Sequence, residues 1–398
     1  LMKNNEHTLE FLTELDDLFI ANLLKMENTD RIANLIQNAS TNEQSYILGA
    51  LNNDQAQLII NRLKIEEKEE IEEIMAYPED SAGALMATDV FTLHENTTCR
   101  DALSTLQDHK DAEMVFYIYI TDDDNSLVGI ASLRALATTN PETKLKEIMV
   151  KKVHKVRPET DQEEVAQLVA QYNYLAVPVV DADNILLGIV TVDDVVDVIR
   201  EEATEDFLQM AGAGKDREIL LKSSWENAKI RIPWLLASWF GGIIASYVIG
   251  SFEKMLENII VLASFIPIII GMGGNIGTQS STIIVRGMAT GRITIGNELT
   301  IILKELKAGL ILGVLYGVML GIFAGFRFID TNPMIGVVVG LSICSSMIIA
   351  TGVGTFTPLV LRKLDIDPAI ATGPFVTTSI DILGVFLYFL IAGLLLQV

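Results

Sequence analysis

Residues 374–384 are Pro374-Phe-Val-Thr-Thr-Ser-Ile-Asp381-Ile-Leu-Gly384, and they open an apolar run that continues to residue 397. A membrane-spanning helix needs about 20 apolar residues, so this run predicts a span. Asp381 is the only carboxylate in it and lies about 10 Å beyond Pro374 along a helix, within the hydrocarbon. A carboxylate at that depth is costly and points to function. No Lys or Arg shares the same apolar core, so a passing cation is its expected partner.

Four further apolar runs precede this one, at residues 233–250, 259–285, 308–326 and 334–360. The second run contains Pro267 and then a glycine-rich polar stretch, which predicts a broken helix. Irregular backbone at membrane depth is tolerated only inside protein or along a watery cavity, and broken helices often mark transport sites. The candidate pore residues of this stretch are Pro267, Gly273, Gly274, Asn275 and Gln279, and Thr378 joins them from the last run.

The third run carries a glycine at every fourth position from Gly309 to Gly325. On a helix this spacing makes one stripe without side chains, which predicts close approach of a neighbouring helix.

Charge divides the chain at Arg231. The whole net charge of −23 lies in the part that ends there, whereas acidic and basic residues balance in the remainder. An acidic chain is a poor nucleic-acid binder, because phosphate contacts need clustered cations. Most Lys and Arg residues that flank the spans lie on the side of the acidic half. The positive-inside rule then places that half in the cytoplasm and the C-terminus outside the cell membrane.

The acidic half contains an internal repeat, whose period is the spacing from Gly129 to Gly188. Residues 118–135 align with residues 177–194, and each copy predicts a helix, a strand, an Asp/Asn turn, a strand and a helix. This pattern resembles a tandem CBS-domain pair, a regulatory module, whose two copies are expected to pack as one. Residues 1–75 predict helices separated by short polar breaks.

An acidic helix follows the repeat. Asp194, Asp197, Glu201 and Glu205 fall along one helical stripe, and Gly212 and Gly214 are expected to end the helix. Carboxylates crowded on one face repel each other, and divalent cations relieve that repulsion.

Taken together, these motifs resemble the MgtE family of magnesium channels and transporters. The matching stretches are residues 77–86, the CBS pair, residues 191–197, residues 202–206, residues 267–279, residues 365–369 and Asp381. The resemblance implies an α-helical membrane protein with five spans, a cytoplasmic α+β CBS pair and a short all-α N-terminal domain. The expected domains are residues 1–75, 76–200, a connecting plug helix at 201–231, and a pore domain at 232–398.

The resemblance also implies a homodimer with its pore on the dimer axis, and roles for individual residues. Asp381 would hold hydrated Mg²⁺ in the pore, and Asp367 would face the plug helix. The residues implied as cytosolic Mg²⁺ sensors are Asp194, Asp197, Glu202, Glu205 and Asp206, with Glu163 in the second CBS copy. Magnesium is thus the expected transported and regulatory ion.

Three departures from the family pattern stand out. Thr191 and Asp194 match the CBS signature that contacts a nucleotide ribose, but Ala135 replaces that aspartate in the first copy and argues against ATP binding there. The stretch before Tyr77 is short for the family, so its contribution to Mg²⁺ sensing is expected to be reduced. Gly373 stands where some members carry a polar residue, at the expected inner mouth of the pore.

Two other functions remain open from the sequence. One is a channel for another divalent ion such as Mn²⁺ or Co²⁺, although oxygen-only candidate ligands do not favour transition metals. The other is a membrane-bound cation sensor that does not conduct. An enzyme is not expected, because the sequence contains no nucleophile–base pair, HExxH motif or P-loop.

Overall fold

A computed structural model describes most of the chain. The described residues are 20, 23–24, 29–37, 39, 41–49, 51, 53–63, 65–108, 116–214, 216, 219–293, 296–364 and 366–397. The chain forms two compact units, Leu1–Glu201 and Glu202–Val398.

The first unit begins with short helices packed around their own apolar core. Residues of this core include Ile36, Leu48 and Ile59, all almost fully buried. The helices are α1 (Thr29–Ile36), α2 (Thr41–Gly49), α3 (Asn53–Ile60) and α4 (Ile65–Ile74). They agree with the predicted all-α N-terminal region. The prediction for residues 1–19 lies outside the described residues.

The repeat follows in two copies. The elements of the first copy are α5 (Ala82–Leu85), β1 (Thr92–His94), α6 (Cys99–Asp108), β2 (Tyr117–Thr121), β3 (Leu127–Ser132) and α7 (Leu133–Thr138). Those of the second are α8 (Leu145–Ile148), α9 (Gln162–Tyr172), β4 (Ala176–Val180), β5 (Leu186–Thr191) and α10 (Val192–Met210). Strand β2 pairs parallel with β1 and antiparallel with β3, and β4 pairs antiparallel with β5.

The predicted Asp/Asn turn is present in both copies. Asn125 and Asn184 adopt left-handed φ angles of 60° and 68°, a conformation that asparagine tolerates better than most residues. Asp122 and Asp181 each accept two backbone N–H groups of their own turn. The turns also join the copies, since the Asn184 side-chain amide donates to the Leu127 carbonyl at 2.8 Å. Together with a shared cluster of buried side chains, this contact confirms that the copies pack as one domain.

Helix α10 begins in the second copy and ends at Met210. Gly212 and Gly214 then take φ angles of +70° and +90°, which confirms that these glycines end the helix. The boundary between the two units falls within α10.

The second unit contains the spans. Five helical segments of the described chain are long and apolar enough to cross a membrane, as the sequence predicts. The elements are α11 (Ser224–Ser251), α12 (Glu253–Asn258), a 3₁₀ helix η1 (Ile260–Phe265) that leads into α13 (Ile266–Ala289), α14 (Glu298–Arg327), α15 (Met334–Lys363), a 3₁₀ helix η2 (Pro368–Ala371) and α16 (Pro374–Leu396).

The break predicted in the second span does not lie in the glycine-rich stretch. Helix α13 runs without interruption through the glycine-rich stretch. Pro267 lies in its first turn, where the missing N–H has no intrahelical partner to lose. Gly277 lies directly against the backbone of Gly354 in α15, so this glycine serves close packing rather than a break. The irregularity lies before Pro267, in η1.

The glycine stripe of α14 packs on α15, as predicted. A Cβ on Gly313 would lie 2.9 Å from the Cys344 carbonyl oxygen, and one on Gly317 would lie 2.6 Å from the Gly340 carbonyl oxygen. Backbone atoms cannot move aside as a flexible side chain can. The two helices therefore touch along their backbones for several turns.

Substituting Gly317 by Ala should lower the thermal stability of the purified protein in detergent, by about 1–3 kcal/mol, because the new methyl group overlaps backbone of α15. Gly242→Ala is the matched control, since nothing lies within 4 Å of the added Cβ. A melting temperature of Gly317→Ala equal to that of the control would contradict backbone contact between α14 and α15.

Candidate functional site

Asp381 lies about two turns into α16 and is half-buried. Its Oδ1 lies 3.9 Å from the position that a Cβ on Gly274 of α13 would take. The glycine therefore leaves space beside the carboxylate. Within the described part of the chain, the Asp381 carboxylate forms no hydrogen bond or ion pair, although its neighbours do. Thr377 and Ser379 donate their hydroxyl protons to backbone carbonyls of α16 and of Gly373 just before it.

The other candidate pore residues are divided between two surfaces of α13. Gly273 is buried against Ile380 and the Ser346 hydroxyl, whereas Asn275 and Gln279 are exposed on the surface of the chain one helical turn apart. An amide exposed to hydrocarbon is costly. We therefore expect water or another protein surface to cover this side of α13.

The last two candidate pore residues lie at a contact between helices and at the start of a helix. The Thr378 methyl group packs on Gly241 of α11, and this contact holds the first span against the last. Pro267 lies at the start of α13.

A second group of acidic residues lies where the end of α10 meets η2. We call Glu202, Glu205, Asp206 and Asp367 the acidic cluster. Asp367 precedes η2, and its Oδ1 accepts the Ala369 N–H at 2.8 Å. The side-chain amide of Gln209 donates to Asp367 Oδ2 at 2.7 Å and to Glu205 Oε1 at 3.0 Å.

Burial raises the pKa of Asp206 to about 6, and the negative charges of Asp367, Glu202 and Glu205 contribute to the rise, while Arg286 opposes them. A raised pKa means that ionising this carboxyl costs more free energy in the folded protein than it does in water. A cation placed near these groups would relieve that cost.

The sensor candidates of the first unit are placed differently. The Asp194 carboxylate accepts the Thr191 hydroxyl at 2.6 Å and the Thr191 backbone N–H at 3.1 Å, which closes the first turn of α10. Burial raises the pKa of Asp194, and these hydrogen bonds partly offset the rise. Asp197 is exposed on α10. The Glu163 carboxylate accepts a hydrogen bond from Gln167 at 3.3 Å.

The first CBS copy has the same turn without the carboxylate. The Ser132 hydroxyl accepts the Ala135 N–H at 3.1 Å, as the Thr191 hydroxyl accepts the Asp194 N–H in the second copy.

Among the described residues, no three His, Cys, Asp or Glu side chains are close enough to form a ready-made metal site in one chain. The acidic cluster is therefore a region of negative charge rather than a closed coordination cage. Sequence reasoning found its carboxylates but missed Gln209. The available signal was its position, one helical turn after Glu205.

Three family models match this chain. The MgtE model, described as a divalent cation transporter, matches residues 266–391, the CBS model residues 82–139 and 145–201, and the MgtE intracellular N domain model residues 2–80. The magnesium transporter MgtE of Enterococcus faecalis is 38% identical over 333 residues, which cover 83% of this chain and 73% of that protein. The chain belongs to the MgtE family. Membership explains why the CBS pair and five spans occur in one chain, and it makes this a transport protein of the membrane.

A second relative agrees with this membership. The magnesium transporter MgtE of Bacillus subtilis is 36% identical over 84% of this chain and 73% of its own length. A solved cytosolic domain of the Mg²⁺ channel MgtE in complex with ATP is 35% identical, covers 49% of this chain and 85% of that one, and has a TM-score of 0.47. The expectation that Ala135 disfavours ATP stays a prediction for this chain.

Asp206→Asn should stabilise the metal-free protein at pH 7, by about 1 kcal/mol once solvent screening is allowed for. The ordinary pKa of the carboxyl is 3.8 and the folded value is about 6, so the folded state binds more protons in this interval. Its stability then falls as pH rises from about 4 through 6. The asparagine variant lacks that fall, so the two melting curves in chelator should separate above pH 6 and converge near pH 4. Asp330→Asn, on an exposed residue, is the control.

Proposed function

We propose that this chain is a Mg²⁺ channel that mediates uptake across the cell membrane and closes when cytosolic Mg²⁺ binds its acidic surfaces. The observation that carries the proposal is the Asp381 carboxylate, unpaired within the described chain and placed beside Gly274 in the membrane half. The names of the relatives, magnesium transporters, support Mg²⁺ as the ion.

The ion would cross with much of its water. Mg²⁺ prefers six oxygen ligands and dehydrates reluctantly, so it usually keeps several waters. One carboxylate, with space beside it left by a glycine, attracts such an ion without trapping it, and weak binding permits exit.

The pore would be completed by a second copy of the chain. Asn275 and Gln279 lie exposed on α13, and a homodimer that joined these surfaces would place them along a shared watery path. Each copy would then contribute one Asp381. The soluble half would lie in the cytoplasm and the C-terminus outside.

Closure would depend on the acidic cluster. Burial raises the pKa of Asp206, and the negative charges of the other carboxylates in the cluster raise it further. Bound Mg²⁺ would relieve this repulsion and favour the arrangement in which the end of α10 lies against η2 and the start of α16. An ion shifts such an equilibrium only by its difference in affinity between the two states. Asp194 and Asp197 are further sensor candidates by family resemblance.

Asp381→Asn should reduce Mg²⁺ flux into proteoliposomes to the background of empty vesicles, because the amide keeps the shape of the side chain but removes the charge that attracts the ion. Asp330→Asn should conduct like the wild type. Undiminished flux through Asp381→Asn would exclude Asp381 as the pore ligand.

Competition by Mn²⁺ or Co²⁺ separates a Mg²⁺ channel from a channel for another divalent ion. Absence of flux through folded wild-type protein would favour the sensor function.

The combined variant Glu202→Gln, Glu205→Gln and Asp206→Asn should stay open at cytosolic Mg²⁺ concentrations that close the wild type. The amides keep the packing but remove the charges that the ion would neutralise. The measurement is flux with Mg²⁺ stepped on the cytosolic face. Normal closure of this variant would show that the acidic cluster is not the sensor.

A further inference from the structure

The side chain of Gln209 connects two acidic residues from different elements of the second unit. It is 1% exposed, near the end of α10. Its amide nitrogen donates one hydrogen bond to Glu205 in the same helix and another to Asp367, which precedes η2. Both protons of the neutral amide group are therefore used on carboxylates.

These hydrogen bonds oppose electrostatic repulsion. Two ionised carboxylates that share one donor group are close enough to repel, and the pKa of Asp206 is raised in part by the same charges. A hydrogen bond to a charged acceptor is worth more than one between neutral groups. Each carboxylate oxygen that accepts one N–H group keeps a second lone pair for other ligands.

The backbone around Gln209 leaves little freedom for another arrangement. A Cβ on Gly373, just before α16, would lie 3.3 Å from the Gln209 carbonyl oxygen and 3.5 Å from Gly212. A Cβ on Gly212 would in turn lie 3.2 Å from the ring of Pro374. The end of α10 thus contacts the start of α16 closely, and the absence of a side chain at residue 373 permits this contact.

We propose that Gln209 is a positioning residue for the closing ion: it holds Glu205 and Asp367 together before a cation binds, and so sets the Mg²⁺ concentration at which the protein closes. The inference rests on the proposed function. Without the amide, the two carboxylates move apart, and the ion must bring them together itself. The cost of that rearrangement weakens the apparent affinity for Mg²⁺, so a higher Mg²⁺ concentration is needed for closure.

The test compares Gln209→Met with the wild type. Methionine has nearly the same length and volume as glutamine but no hydrogen-bond donor. The Mg²⁺ concentration that gives half-maximal thermal stabilisation of the full chain in detergent should rise at least threefold, and the Mg²⁺ concentration that half-closes flux in proteoliposomes should rise with it. Gln171→Met, on an exposed residue of α9, is the matched control and should leave both midpoints unchanged.

A double-mutant cycle shows whether Gln209 acts through Asp367. In an Asp367→Asn background, Gln209→Met should have no further effect on either midpoint, because the charge that it positions is gone. An equal effect in both backgrounds, or an unchanged midpoint in Gln209→Met, would overturn the proposal.

Gln209→Lys provides a second variant in case the methionine variant does not fold. Lysine keeps a donor and adds a positive charge, so it should hold both carboxylates without Mg²⁺ and make closure less dependent on the ion. The same Mg²⁺ dependence as the wild type would count against the proposal. The proposed function fails separately, if the wild-type protein itself shows no Mg²⁺-dependent closure.

Discussion

A carboxylate within a membrane span must have water, a cation or a hydrogen-bond donor beside it, and this requirement organises the membrane half. The described residues offer Asp381 no donor; the chain instead leaves space, because Gly274 faces it. The same requirement applies to Asn275 and Gln279, whose amides lie on the surface of the single chain. A surface of this kind is satisfied by an aqueous path or by a second protein surface, and the proposed dimeric pore would provide both.

The helices of the membrane half pack against one another through close backbone contacts. Helices α14 and α15 touch along glycines, and α13 approaches α15 through Gly277 and Gly354. The same device recurs where Gly212 and Gly373 bring the end of α10 against the start of α16. Any motion of the end of α10 is therefore passed directly to the helix that carries Asp381, without a flexible side chain between them.

Much of this structure could be predicted from the sequence, since length and apolar composition determine the five spans. The repeat predicts the two CBS copies, because an Asp/Asn turn has strong local preferences. The predicted break does not extend into the glycine-rich stretch of the second span, because the helix packs there against Gly354 and Ile380, which are far away in the sequence. Gln209 was missed for a related reason. Its position one helical turn after Glu205 suggests a contact with that residue, but its second partner, Asp367, lies in a distant part of the sequence.

The two CBS copies end differently. After nearly identical turns, helix α7 of the first copy stops at Thr138, whereas helix α10 of the second copy continues to Met210 and enters the unit that contains the spans. The repeat thus contains one copy whose last helix continues into the unit of the spans and one whose last helix ends within the first unit. The first copy differs in its nucleotide signature, as Ala135 illustrates, and it meets the second copy through the Asn184 turn and a shared cluster of buried side chains.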